Sequence, residues 1–258
     1  MDIVESLFRW AHVVAGIIWI GLLYFFNWVN GPFAATLEPE CKRKVIPELL
    51  PRALFWFRWG AAWTWVTGLL LLMVVFYHVK GSDEVTHNAT LWAGEADSRT
   101  IGIALIVFTF LSMHVYDILV KTVFKTTQIQ FVVGIIWATA WVYLLQEVGG
   151  FSYRATTIHL GAMFGTWMAF NVWFRIWPAQ RRIITAIKNG DAPAPADPAL
   201  AGLRSKHNTY MSIPLVLMMV AQHKPWMADK IWMVGVMVAV GWIVCRMLYK
   251  KAANVPGF

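Results

Sequence analysis

Cysteine and charge are what this sequence has least of. Only two cysteines occur in 258 residues. Cys41 and Cys245 stand in unlike surroundings and exclude a disulfide framework. C-x-x-C-H is absent, which excludes a c-type haem attached to this stretch of chain. Charged residues make up 14% and hydrophobic residues 59%, where a soluble domain has roughly 25% and 45–50%. That much apolar surface cannot be hidden inside one water-soluble globule of this length. A cleavable leader is not expected, because the first apolar run, Phe8 to Val29, is too long for a signal core and lacks a small-residue cleavage site. The net charge of +8 comes without any nucleic-acid motif. In a membrane protein it reflects basic residues kept on the cytoplasmic side.

What is present is apolar runs, each near the roughly 20 residues that span a bilayer. Seven are read: 8–29, 54–78, 100–120, 127–146, 155–177, 208–223 and 229–249. The sixth is short and carries Pro214. The expected fold is therefore all-α, a single bundle of seven transmembrane helices over 1–258. Lys and Arg concentrate in the first, third and fifth connections and at the C-terminal end (Lys42, Arg43, Lys44, Arg52; Lys121, Lys125; Arg181, Arg182, Lys188, Arg204, Lys206; Arg246, Lys250, Lys251). The bias places the N-terminus outside and the C-terminus in the cytoplasm, as in a bacterial inner-membrane protein. Within the basic cytoplasmic segment 178–206, Arg181 to Lys188 is expected as a short amphipathic helix on the membrane. Gly190 to Gly202, rich in Pro and Ala, is expected as a stiff tether.

Ionisable groups inside spans are functional candidates by default, since burying them in lipid is costly. His12 in the first run and His159 in the fifth lie at matched depth toward the outer side. His12, Gly16, Trp19, Leu23 and Asn27 share one helical stripe, as do His159, Met163, Thr166, Phe170 and Trp173. Paired imidazoles with small residues beside them suit a haem b, its iron the one metal expected, with His78 and His223 as alternates. Against this stands the plainer reading of helix–helix hydrogen bonds and close-packing glycines. His87 is read as a solvated loop residue.

Toward the cytoplasm lies a second cluster. Arg58 sits about one turn inside the second run, and His114 and Asp117 share a face of the third. The sixth opens with Lys206-His207-Asn208-Thr209-Tyr210 ahead of Pro214, which frees backbone near Tyr210. Asn27 and Asn171 are expected at the same level. The alternative is that Arg58 snorkels and Asp117 pairs with Lys121. Together these groups suit a small, planar, anionic, hydrogen-bonding molecule.

Several segments resemble the N-terminal membrane domain of bacterial integral-membrane urate hydroxylases. They are Trp10-x-His12 with Gly16, Trp19 and Gly21; Leu23 to Asn30 (LYFFNWVN); Tyr116-Asp117; His159 to Ala162 with Gly165-Thr166; and Asn171-Val172-Trp173. The likeness is strongest in Trp177-Pro178-x-Gln180 and in Arg204 to Ser212 (RSKHNTYMS) with Pro214. It implies oxidation of urate, a small anionic purine, to 5-hydroxyisourate, with electrons passing to cytochrome c. Gln222-His223-Lys224-Pro225 departs from the Asn-x-His-Tyr-Pro expected there. The sequence ends after the seventh run without a cytochrome c motif, so a separate cytochrome c is the expected acceptor. In this reading Arg58, Asn208, Tyr210 and Asn171 bind substrate, and His207 or the His114/Asp117 pair takes the proton. The rival reading is a non-catalytic, cytochrome-b-like electron-transfer or structural subunit of a larger respiratory complex.

Overall fold

A computed structural model of the chain describes residues 2–77, 91–93, 99–124, 126–222 and 230–256. The described residues are all-α. The order is α1 (Asp2–Tyr24), α2 (Gly31–Thr36), α3 (Pro39–Leu72), α4 (Arg99–Thr122), α5 (Thr127–Tyr143), α6 (Tyr153–Asn171), α7 (Trp177–Asn189), α8 (Ala196–Ala221) and α9 (Trp232–Ala252). In hydrocarbon each backbone N–H and C=O must be satisfied within its own segment, and apolar runs this long meet that demand as helix. Among the described residues, five stretches are long and apolar enough to cross a membrane: Ile3–Thr36, Pro39–Tyr77, Arg99–Thr122, Thr127–Val148 and Trp232–Ala252. The two remaining expected runs fall on α6 and α8. These are more polar, but the polar groups are largely buried: Thr156, Thr157, His159, Thr166 and Asn171 on α6, and Asn208, Thr209 and Ser212 on α8.

Short π-helical turns interrupt the regular helices, and two have a cause legible in the chain. The turn Phe25–Asn30 ends with the Gly31 N–H on the Phe26 carbonyl, just before Pro32. The turn Val172–Ile176 ends with the Trp177 N–H on the Val172 carbonyl, just before Pro178. Proline brings no N–H and its ring crowds the carbonyl four residues back. The preceding N–H therefore reaches one residue further, and the helix widens locally. The first turn carries Asn27 of the polar network described below, and the second begins directly after Asn171.

The chain forms two compact units, one of Met1–Gly68, Met168–Met211 and Val244–Phe258, the other of Leu69–Trp167 and Ser212–Ile243. In the first unit α1 and α3 approach so closely that a methyl on Gly60 would lie 3.1 Å from the Trp19 backbone nitrogen. Trp19, Leu23, Phe57 and Ala61 are fully enclosed there. The opposite face of α1, with Trp10, Val13 and Ile17, is exposed as a lipid-facing surface would be. At the polar start of α3, Lys44 pairs with Glu40 and Arg52 with Glu48 at i, i+4. These pairs support helix well before the apolar run begins at 54.

The basic segment differs from its expected form. α7 runs on helically from the π turn, and its apolar face is covered by α8 rather than by lipid. Ala179 and Ile183 pack on Ala201, with Ile187 and Leu200 beside them. α8 itself begins at Ala196, so only 190–195 remains as a connection. Gly190 closes α7 in the left-handed region at φ 88°, a conformation glycine adopts without penalty. Arg182 grips the Asp197 carboxylate, and this holds the Asp197 carboxyl below its usual range. A depressed carboxylate contributes fully at neutral pH, and its contribution is lost only as pH falls through the lowered value.

The second unit is built from α4, α5, the first part of α6, the end of α8 and the start of α9. Trp92 bridges to Phe151 in a single antiparallel pair, and its ring fills the space a side chain at Gly102 would need. Gly134 similarly makes room for Trp242, and Gly161 and Gly165 lie against Met219 and Leu215. α8 continues through Pro214, which lies beside Gly241 of α9.

Candidate functional site: a buried amide–guanidinium chain

The face of α8 that repeats at i, i+3 and i+4 carries Ala201, Arg204, Asn208 and Met211, and all four are buried. In the first unit this face meets the last turn of α6. Asn171 donates from Nδ2 to Asn208 Oδ1 at 2.8 Å, and Asn208 donates from its own Nδ2 to the Met168 carbonyl at 3.0 Å. Arg204 donates to Asn171 Oδ1 at 3.3 Å. Asn171 and Asn208 have no exposed surface and Arg204 has 1%. Each amide thus has its oxygen and nitrogen assigned by its partners. A guanidinium, always protonated, thus meets the amide of Asn171, which Asn208 in turn orients.

A second chain flanks the first. Asn27, in the first π turn, donates to the Leu23 carbonyl and to Ser205 Oγ, both at 2.8 Å. Tyr249 of α9 donates to Asn27 Oδ1 at 2.8 Å. Tyr210 stacks on Tyr249, centroids 5.9 Å apart and 15° from parallel, and Lys206 lies over the same Tyr249 ring. His207, half-buried, shares α8 with Arg204, Asn208 and Tyr210. Asn171 and Asn208 are thus joined in one chain, while Asn27 and Tyr210 each meet Tyr249 in the other.

Other expected members have separate surroundings. Arg58 donates from Nε to the Leu54 carbonyl, and its guanidinium lies over the Trp177 ring at 3.6 Å and the Trp173 ring at 5.5 Å. Its surroundings are aromatic, not the amide chain. His114 and Asp117 belong to the second unit. His114 is exposed, whereas Asp117 is buried and its carboxylate meets Lys121 Nζ at 2.7 Å. Nearby, Trp167 donates to Ser112 Oγ at 2.8 Å and stacks on Tyr116. Sequence reasoning passed over Arg204, which it counted as a cytoplasmic loop charge. The signal that identifies it was present: Arg204 and Asn208 are four residues apart on one helical face.

The haem candidates are each defined by their hydrogen bonds. In the first unit His12 Nδ1 lies 2.9 Å from the Thr64 carbonyl and 3.3 Å from Thr67 Oγ1. In the second unit His159, fully buried, has Nδ1 2.7 Å from the Ala155 carbonyl and Nε2 2.7 Å from the Tyr77 hydroxyl. A carbonyl only accepts, so Nδ1 carries the hydrogen on both rings and Nε2 carries the lone pair. That is the tautomer axial histidines use, oriented by a backbone carbonyl. The donor chemistry of both rings fits haem iron, and at His159 the Tyr77 O–H already occupies the coordinating nitrogen. Phe76 and Phe151 pack edge-on to the His159 ring. His78, His87 and His223 lie outside the described residues. Among the described residues no three His, Cys, Asp or Glu side chains gather as a metal-ion site.

The model of the family described as urate oxidase N-terminal matches residues 37–255. The chain belongs to that family. No curated protein and no solved structure matches it. The urate oxidase N-terminal match takes in α3 to α9, and with them Asn171, Arg204, Asn208 and Tyr210. The membership agrees with the resemblance seen in RSKHNTYMS and its flanks, and the long apolar helices agree with a membrane protein.

Proposed function

We propose that this chain is a membrane oxidoreductase of the urate hydroxylase type, with substrate held at the Asn171–Asn208–Arg204 chain. The observation that carries this is a buried guanidinium bonded to Asn171, which Asn208 holds in turn, in a chain of the urate oxidase N-terminal family. Urate near neutral pH is a planar monoanion with carbonyl and N–H edges. Arg204 supplies the charge, and charge-assisted bonds are about twice as strong as neutral ones. Asn208, Asn171 and Tyr210 hold the polar edges, and Tyr210 and Tyr249 offer flat surfaces beside them. This reading transfers the charge role expected of Arg58 to Arg204, which the amide chain contacts directly.

The reaction consumes urate and water and releases 5-hydroxyisourate, two protons and two electrons. His207, on the same helix as the binding groups, accepts a proton as the new C–O bond forms. The electrons leave to a separate cytochrome c. Haem b, held through His12 Nε2 and His159 Nε2, would supply the one-electron capacity that side chains lack. For His159 this requires the Tyr77 hydroxyl to turn away from Nε2.

The test is urate-dependent reduction of added soluble cytochrome c by detergent-purified protein. Wild type is expected to show it. If no reduction follows urate addition, the urate reading fails and the electron-transfer or structural-subunit reading replaces it.

We also propose seven spans with the N-terminus outside and the C-terminus in the cytoplasm, because the densely basic connections then share one side. A periplasm-active reporter fused after Phe258 should be silent. Activity from that fusion would mean that the span number or the orientation differs from this reading.

A further inference from the structure

We propose that Arg58 and Arg181, together over the Trp177 ring, bind the phosphate of an anionic phospholipid at the membrane surface. The two guanidinium carbons lie 3.6 Å and 5.9 Å from the centre of that one indole. Cations placed so near one another repel unless an anion joins them, yet among the described residues no carboxylate lies within ion-pair distance of either. Arg58 spends only its Nε hydrogen, on the Leu54 carbonyl. Its two terminal nitrogens, which form the fork suited to phosphate oxygens, make no hydrogen bond within the described chain.

Depth and surroundings distinguish a lipid from a dissolved anion. The stretch from Arg58 to Tyr77 rises about 28 Å at about 1.5 Å per residue, close to the ~30 Å thickness of a bilayer's hydrocarbon core. With Tyr77 at one boundary, Arg58 falls at the other, at headgroup level. Beside it runs a partly exposed aromatic surface. Phe55 packs near Trp59 with centroids 6.4 Å apart, and Trp59 meets Trp173 edge-on at 5.7 Å. Phe55, Trp59 and Phe174 are 46%, 42% and 60% exposed. Paired cations bordering apolar aromatics match a molecule with a phosphate at one end and acyl chains at the other. Tryptophan and arginine both favour this interfacial layer. The inference rests on the membrane reading and is independent of the urate assignment.

The experiment uses the full chain in detergent with added phosphatidylglycerol or phosphatidylcholine, read by thermal stability and by lipid retained in native mass spectrometry. Wild type should retain phosphatidylglycerol at least several-fold over phosphatidylcholine. Arg58→Gln with Arg181→Gln should erase that preference while melting like wild type in phosphatidylcholine. Arg181 is exposed, so Arg181→Gln alone should fold normally and weaken the preference, which keeps the test decisive if the double variant is unstable. Retained preference in Arg181→Gln and in any folded double variant would overturn the proposal. Competition by millimolar inorganic phosphate would also overturn it, since the site would then take a soluble anion rather than a lipid.

Discussion

Asn208→Leu is expected to lower urate-dependent turnover about tenfold to more than a hundredfold in kcat/KM, while the purified protein stays monodisperse. Leucine keeps the branched shape of asparagine, with the same number of side-chain heavy atoms, but is bulkier and makes neither of its hydrogen bonds. The Met168 carbonyl and Asn171 Nδ2 both lose their partner. A buried polar group left unsatisfied costs about 1–3 kcal/mol, and about 1.4 kcal/mol is tenfold in affinity. Once loosened, Asn171 is free to turn, and the Arg204 guanidinium it receives loses its fixed position. The damage should appear in KM if Arg204 holds urate equally before and during reaction, and in kcat if it acts only in the transition state. Asn208→Asp sharpens the test. It keeps the acceptor for Asn171 but brings a carboxylate near the arginine, so it should exclude an anionic substrate more severely than leucine does. A folded Asn208→Asp protein with wild-type urate kinetics would remove the substrate from this site.

The second large effect concerns haem, read by spectrum rather than turnover. Reduced wild-type protein should show the split α/β bands of low-spin b-type iron with two imidazole ligands. His12→Ala and His159→Ala should each abolish them. Tyr77→Phe is the more informative change. It deletes the hydroxyl that caps His159 Nε2 but leaves the Nδ1 bond to Ala155 that orients the ring. Haem added to purified Tyr77→Phe protein should therefore bind at least as tightly as to wild type, with the same bands. If haem binds fully without either histidine, His78 and His223 become the ligands to examine. If Tyr77→Phe alone loses the spectrum, the tyrosine supports the haem and does not compete with it.

Much of the architecture was legible because membrane helices obey a local rule. Each run must satisfy its own backbone, so its apolar length announces it without knowledge of its neighbours. The helix ends were less legible. α3 starts at Pro39 although its apolar run starts near 54, since exposed ion pairs such as Glu48–Arg52 carry helix beyond the lipid. The stripe that holds His12, Trp19 and Leu23 turns its Trp19 and Leu23 inward, because burial follows the 3.6-residue period. The amphipathic segment 181–188 was read correctly as a helix, but its apolar face, expected on lipid, packs on α8. Its apolar face shows only that something covers it, and α8 was an equally suitable cover.

At the candidate site the sequence by itself determined which polar residues are committed to the membrane domain: Asn27, Asn171, Asn208, Tyr210, His12 and His159 stand in apolar runs or at their edges, where chance rarely leaves them. It also carried the family, through contiguous motifs that survive without any coordinates. Which of these groups meet is visible only once the helices are packed. Hydrogen bonds join residues far apart in the chain, such as Asn27 with Tyr249 and Asn171 with Asn208, and no local period encodes such pairs. Position along a helix likewise assigned Arg58 to the substrate and Arg204 to a loop. Their side chains went elsewhere, Arg58 onto the Trp177 indole and Arg204 into a closed amide chain. The reason is directional: a sequence sets the depth and face of a side chain, whereas its partner is set by which other helix presents a matching donor or acceptor at that depth.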